Sequence, residues 1–308
     1  MARESKQLPN RSKRSSLRRI KTGRKIGRMV NAGLLLLLSA TMLYPFIQIL
    51  LKSFMTDTDI IEQNGIFVWP SSWQIEGYKS IFASDSVYNV GHAFLVSVFV
   101  TAATTLYQLT ITTLAAYGLS KRKMPGKKWL YAFFIFTMYF GGGLIPYFIL
   151  IRQLGLLNQI WVLIIPQFIS VPNMLVMKSF FDNFPSEMIE AAKVDGASDF
   201  RIFVSVVLPL SKAVLATIAL FIAVGVWNNW FTTMLFIQDP DLRPLAYVVQ
   251  VIIDMSVGRN AQDGQTVQLI GKSIQYAAII VSTVPIILVY PFLQKHFEKG
   301  VMIGSIKG

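Results

Sequence analysis

Six long apolar blocks constrain this chain more than any other feature. They cover about Val30–Leu51, Phe94–Leu119, Trp129–Ile151, Ile160–Met177, Ala213–Phe236 and Ile274–Leu293, and no Asp, Glu, Lys or Arg lies deep in any of them. A helix needs roughly 20 apolar residues to cross a bilayer, and each block approaches or exceeds that. Transmembrane strands are a poor alternative, because they are shorter and alternate polar with apolar. The expected fold is therefore an all-α integral membrane protein with six transmembrane helices. Composition agrees. Only 15% of the 308 residues are charged and 53% are hydrophobic, whereas about a quarter of a soluble domain is charged.

Charge placement gives the orientation. The leader, residues 1–29, carries eleven Lys and Arg, from Arg3 to Arg28, and "KRKMPGKK" (Lys121–Lys128) joins the second and third blocks. The fourth-to-fifth connection and the C-terminal tail are also basic. The other connections hold only Lys52, Lys79, Arg152, Arg243, Arg259 and Lys272. Cytoplasmic loops carry the Lys/Arg excess, so both termini are expected in the cytoplasm. The net charge of +13 then reads as a topology signal with affinity for anionic membrane lipid, not as a nucleic-acid surface. The leader lacks the short apolar core and small-residue site of a cleavable signal. The expected organisation is a basic leader (1–29), a six-helix transmembrane domain (30–296) and a cytoplasmic tail (297–308). Within the domain lie a cytoplasmic segment (182–212) and an external loop (238–272).

Several chemistries are excluded early. There is no cysteine, hence no disulfide, thiolate metal site or cysteine nucleophile. The two histidines, His92 and His296, are far apart at membrane edges, and two such residues make no metal site. Buried charges mark proton relays and ion-coupled transport; their absence weighs against a proton-driven carrier and against an intramembrane enzyme. "GQTVQLIGKS" (Gly264–Ser273) imitates the end of a phosphate-binding loop. That loop needs glycine five positions before the Gly-Lys-Ser, and here the position is Thr266. The chain is expected to bind neither ATP nor another cofactor.

The spans do contain helix breakers. "YFGGGLIPY" (Tyr139–Tyr147) places three glycines and Pro146 in the third, and the fourth holds Pro166 and Pro172. Broken helices at membrane depth are tolerated where freed backbone faces protein or a water-filled cavity; kinks with close packing are the plainer reading. "VWNNWF" (Val226–Phe231) is the most polar point of the fifth span. Trp227, Asn228, Asn229 and Trp230 combine amides with flat aromatic faces, which suits sugar hydroxyls and pyranose rings. An interfacial aromatic belt with backbone-paired asparagines is the plainer reading. Tyr107 and Gln108 are weaker candidates of the same kind for a substrate path.

The segment "FDNFPSEMIEAAKVDGASDFRIFVSVVLPLSKA" (Phe181–Ala213) is a polar interruption on the cytoplasmic side. Ser186 suits a helix N-cap and Glu187 its first turn, so a short helix is expected over Glu187–Lys193. Asp195-Gly196 is a turn signal. A second amphipathic helix follows, with Phe200, Phe203 and Val207 on one face, and Pro209 bends it into the fifth span. Ala191 and Ala192 would allow close docking into a partner's groove, with Glu190 free to pair with an arginine. A solvated loop is the alternative on physical grounds alone.

The order Glu190, Ala191, Ala192, Asp195, Gly196, Ala197, Phe203, Leu208, Pro209, Leu210 resembles the cytoplasmic signature of permease subunits in binding-protein-dependent ABC importers. Ala213 stands where that family often carries a second proline. "LAAYGLSKRKMPGKK" (Leu114–Lys128) and "FVWPSSWQIEGYKSIF" (Phe67–Phe82) resemble the family's second span and external loop. "WNNW" stands where sugar importers carry W-N-[DE], with Asn229 in the acidic place. The tail "LQKHFEKGVMIGSIKG" (Leu293–Gly308) resembles the MalG-like second permease of sugar importers. "GGGLIPYFILIRQLGLLNQIW" (Gly141–Trp161) resembles the LplC/YtcP-type branch, associated with oligosaccharide uptake. Likeness covers roughly residues 30–308.

That resemblance implies a type I ABC importer permease in the bacterial plasma membrane, multi-pass and not itself an enzyme. It implies a heterodimer with a second, homologous permease, two ATPase subunits carrying ATP and Mg, and an extracellular solute-binding lipoprotein. Glu190, Ala191, Ala192, Asp195, Gly196, Ala197 and Pro209 would couple to the ATPase. The tail near Gly300, Gly304 and Lys307 would reach between the ATPase subunits. Residues 238–272 would touch the binding protein. The solute would be a carbohydrate, with another ABC solute class (peptide or amino acid) as the alternative.

Overall fold

The computed structural model describes residues 11–63, 69–83, 89–121, 124–256 and 271–304; the side chains of 11–24, 26 and 290–304 fall outside that description. Every regular element described is helical: α1 (Arg11–Lys52), α2 (Asp57–Glu62), α3 (Glu76–Phe82), α4 (Val90–Ser120), α5 (Lys127–Tyr139), α6 (Leu144–Gln153), α7 (Val171–Asp182), α8 (Ser186–Val194), α9 (Asp199–Ile202), α10 (Leu208–Leu210), α11 (Lys212–Trp227), α12 (Phe231–Phe236), α13 (Leu245–Ser256) and α14 (Lys272–Gly304). Short 3-10 turns at Ile160–Leu163 and Ile165–Gln167 lead into α7. Helix satisfies the backbone internally, which hydrocarbon demands.

Three continuous stretches are long and apolar enough to cross a bilayer: Gly27–Lys52, Val90–Ser120 and Lys272–Val289. The other three expected blocks are interrupted. α5 and α6 meet at 112° and Ile160–Gln167 and α7 at 41°, while Ala213–Phe236 is parted into α11 and α12; Asp199–Leu210, in the expected cytoplasmic segment, meets α11 at 79°. The breakers within Trp129–Ile151 do part the helix, and by more than a kink. Phe140 turns extended and Gly143 takes φ +83°, a value cheap only for glycine. Thirteen residues of α5 rise about 20 Å, short of a hydrocarbon core of roughly 30 Å.

α4 is the central helix, packed against α7, α11 and α13. Val96, Val100, Ala116 and Leu119 meet Met174, Met177, Phe181, Ile218, Ile222 and Val226 in the main apolar core. The middle of α4's buried face is polar, with Thr104, Gln108 and Thr112 at helical spacing. By contrast α5 buries no residue, and Leu34 to Leu38 of α1 all stand exposed. Apolar surface at membrane depth is solvated by lipid tails without penalty.

The end of the molecule holding α2, α3 and α13 is tied by specific contacts. The Ser97 hydroxyl accepts from the Leu245 amide at 2.7 Å and fixes the start of α13. α13 buries Leu245, Val248, Val249 and Ile252, so the first half of the expected loop 238–272 is folded onto the body; residues 257–270 lie outside the described residues. The Gly-Lys-Ser of the failed phosphate loop opens α14. There the Asp57 carboxylate accepts from the Ser273 amide at 2.8 Å, and a Cβ on Gly271 would overlap that carboxylate.

Candidate functional site

The cytoplasmic segment is built from two short helices and a tight turn. α8 opens at Ser186, with Pro185 in the capping place and no side-chain cap. The expected Ser186 cap is thus corrected: proline fixes φ before the helix, and Ser186 is already helical. Glu187 in the first turn offsets the bare amides. The helix ends in a double closure, the Ala197 amide on the Ala192 carbonyl and the Gly196 amide on the Lys193 carbonyl, each 3.0 Å. This is the Schellman pattern, which needs a left-handed residue; Gly196 has φ +76°. The Ser198 hydroxyl then caps α9, accepting from the Arg201 amide at 3.3 Å.

Ile189, Ala192 and Ala197 face inward and pack on the main core. Glu190, Ala191, Asp195 and Gly196 are exposed. Beside them Met188, Val194 and Phe200 stand out, with Val194 at 89% and Phe200 at 73% exposure. This corrects the expected shared face of Phe200, Phe203 and Val207. Phe203–Val207 is a π-helical turn, closed by the Leu208 amide on the Phe203 carbonyl. The wider turn brings Ile202 into line with Val207, and both are buried with Phe203. Phe200 is left outward. Exposed large apolar groups beside charge mark an interaction surface. Pro209 is exposed at the bend, and Ser211 behind it is fully buried, donating to the Val207 carbonyl at 2.6 Å.

Sequence reasoning missed where this segment meets the body. Tyr117, in the last turn of α4, lies edge-on to Phe181 at 5.7 Å and against Phe203 at 4.6 Å. Lys121 donates to the Tyr117 hydroxyl at 2.6 Å and approaches Asp199 at 3.9 Å. Asp199 is 73% exposed, so the ion pair contributes at most about 1 kcal/mol. Two ring contacts, each about 0.5–1.5 kcal/mol beyond their buried area, hold the joint instead. The visible signal was the aromatic–lysine pair four residues apart in "LAAYGLSK".

The fifth-span candidates resolve differently. Trp227 donates its ring N–H to the Ser282 carbonyl at 3.1 Å and stands edge-on to Phe94 at 5.9 Å; it braces α11 against α14 and α4. Asn228 donates back to the Val224 carbonyl at 2.8 Å. Asn229 accepts from the Thr232 amide at 3.2 Å and donates to the Thr232 hydroxyl at 2.9 Å. Trp230 lies edge-on to Phe231. The asparagines cap the break between α11 and α12, and only Asn228 is exposed. Gln108 is buried at 7% exposure, while Tyr107 beside it is exposed. Both sit about 20 Å along α4 from Phe94, so the six residues do not form one cluster. Gly300 and Gly304 fall in the last turns of α14; Lys307 lies outside the described residues. Among the described residues no group of His, Cys, Asp or Glu could hold a metal.

Residues 108–303 match the family described as the binding-protein-dependent transport system inner membrane component. Two relatives come from Bacillus subtilis (strain 168). One is the polygalacturonan/rhamnogalacturonan transport system permease protein YtcP, 39% identical over 91% of this chain and 98% of that protein. The other is the protein LplC, 40% identical over 87% of this chain and 90% of that protein. In fold the chain is similar to a crystal structure of a bacterial ABC transporter involved in the import of the acidic polysaccharide alginate. That match has a TM-score of 0.76 and 28% identity, and covers 94% of this chain and 99% of the other. The chain thus belongs to the binding-protein-dependent transport system inner membrane components, as a multi-pass permease subunit of an ABC importer with the type I fold and no enzymatic role of its own.

Proposed function

We propose that this permease carries an oligosaccharide inward, delivered by an extracellular solute-binding lipoprotein and driven by ATP hydrolysed on separate subunits. The observation that carries the carbohydrate assignment is likeness at 39% identity over 91% of this chain to the permease protein of a polygalacturonan/rhamnogalacturonan transport system. The alginate importer and a diacetylchitobiose permease at 28% identity point the same way. Three continuous and three bent apolar stretches make six spans, with both termini cytoplasmic. A second, homologous permease completes the path, and two ATPase subunits bind ATP and Mg.

In this reading Glu190, Ala191, Ala192, Asp195, Gly196, Ala197 and Pro209 form the ATPase docking element, with Gly300, Gly304 and Lys307 in a tail reaching between the ATPase subunits. Exposed Met188, Val194 and Phe200 supply the apolar part of that contact. Closure of the ATPase dimer favours one permease state only through contacts that differ between states, which a rigid turn at Gly196 transmits. Trp227, Asn228, Asn229 and Trp230, with Tyr107 and Gln108, lie along or beside the solute path; exposed Asn228 and Tyr107 are the members free to face it. The test is a panel of oligogalacturonides, alginate oligosaccharides, maltodextrins and a tripeptide offered to the matching binding protein, followed by uptake in reconstituted vesicles. Binding and ATP-dependent uptake of a sugar is expected. Peptide uptake with no sugar binding overturns the carbohydrate assignment.

A further inference from the structure

The cytoplasmic segment enters the body at two places, and both converge on one side chain. Phe181 is the last buried residue before the segment and Phe203 the first large aromatic one after its turn; each is 6% exposed. Both rings close on Tyr117, at 5.7 and 4.6 Å. Tyr117 belongs to neither flanking helix. It sits on α4, which packs along α7, α11 and α13. Lys121, one turn further on, links the same ring to the segment's second helix: its ammonium lies 4.1 Å from the Tyr117 ring centre and 3.9 Å from the Asp199 carboxylate. Asp199 is also 4.0 Å from Lys193, at the end of α8.

We infer that Tyr117, held between Phe181 and Phe203 and steadied by Lys121, is the positioning residue that passes movement of the ATPase-docking segment to α4. The inference rests on the transport reading above and adds the route by which the segment acts on the membrane helices. Neither of the segment's own helices runs unbroken across the bundle. α7 leads into it as a helix of 12 residues that begins at a 41° break, and the outgoing side runs through a π-helical turn and a 79° bend. π-turns inside helices recur at functional sites. α4 has no such interruption: it is one helix of 31 residues from Val90 to Ser120. A push delivered at its inner end is therefore carried along its length to Ala93, Phe94 and Ser97. These side chains touch the packing around α13, Trp227 and the start of α13. Close-packed contacts shift between discrete arrangements rather than deform smoothly, so a ring gripped from two sides is suited to the task.

The experiment uses the whole importer in liposomes, with the panel sugar that its binding protein takes, and reads sugar taken up per ATP hydrolysed. Tyr117→Leu is expected to assemble, to keep basal ATP hydrolysis within about twofold, and to lose about tenfold or more in uptake per ATP, inside the usual range of coupling between sites. Tyr117→Phe keeps both ring contacts and is expected to stay within about twofold of wild type. An unchanged ratio in Tyr117→Leu, or an equal loss in Tyr117→Phe, overturns the inference. A second arm restores the joint chemically instead of removing it. The chain has no native cysteine, so Tyr117→Cys with Phe203→Cys can be joined by a short, reducible bis-thiol reagent. The unjoined pair is expected to hydrolyse ATP without uptake, and joining is expected to restore uptake. Joining that restores nothing overturns the inference. If the wild-type importer itself hydrolyses ATP with no sugar uptake, it is the transport reading that fails.

Discussion

Gly196 holds φ at +76° with open space around it, so its demand is conformational and not steric. A β-branched residue there carries a left-handed penalty of about 1–2 kcal/mol, while asparagine tolerates the region. Gly196→Val is expected to leave the importer assembled and to abolish binding-protein-stimulated ATPase activity, with Gly196→Asn retaining most of it; equal stimulation in all three would remove the turn from the coupling mechanism. At Thr104 and Thr112 the problem is chemical. Both hydroxyls are fully buried and have no hydrogen-bond partner among the described residues. Removing an unpaired buried group at constant shape is neutral or favourable. Thr104→Val with Thr112→Val is expected to raise the thermal midpoint in detergent or leave it unchanged, by up to about 1 kcal/mol per site. A fall would mean that the hydroxyls have partners in the assembled complex.

At the scale of elements, the junctions carry the information. A Cβ on Gly77 of α3 would sit 2.9 Å from the Ser273 carbonyl oxygen at the start of α14. Backbone has to yield there, so Gly77→Ala is expected to destabilise by about 1–3 kcal/mol, read as a lowered thermal midpoint. The break between α5 and α6 gives an internal contrast. Gly143 needs positive φ whereas Gly141 does not, and neither has a neighbour in the way. Gly143→Ala is expected to lower the midpoint and Gly141→Ala to leave it within error; an equal effect would mean that close packing in the assembly, not φ, selects glycine here. The break itself was legible in "GGGLIP", but its angle was not. A glycine run announces where a helix stops and says nothing of where the next one points.

For the whole molecule, the unburied faces of α1 and α5 suit lipid, while the outward Met188, Val194 and Phe200 on the polar segment suit a partner subunit. Reconstituted alone, the chain is expected to hydrolyse no ATP even with binding protein and sugar present; measurable hydrolysis would overturn the rejection of Gly264–Ser273 as a phosphate loop. Adding the ATPase subunits, together with the second permease proposed above, is expected to give ATP hydrolysis. The segment around Glu190 and Gly196 was readable in advance because its chemistry is local: a helix stop, a turn glycine and small residues within ten positions. The role of Trp227 was not, because its partners Phe94 and Ser282 lie far along the chain.

The sequence by itself determined that this chain is helical, where its apolar stretches lie and that a polar two-helix segment interrupts them. Hydrocarbon imposes those outcomes through length and backbone satisfaction, which are one-dimensional properties of the chain. Tertiary structure alone decided that Ile202 and not Phe200 turns inward, that Gln108 is buried in a seam, that α5 and α6 meet at 112° and that Tyr117 stands between Phe181 and Phe203. Each of those depends on which side chains from distant helices fill the same space, and close packing settles that only once the helices are together.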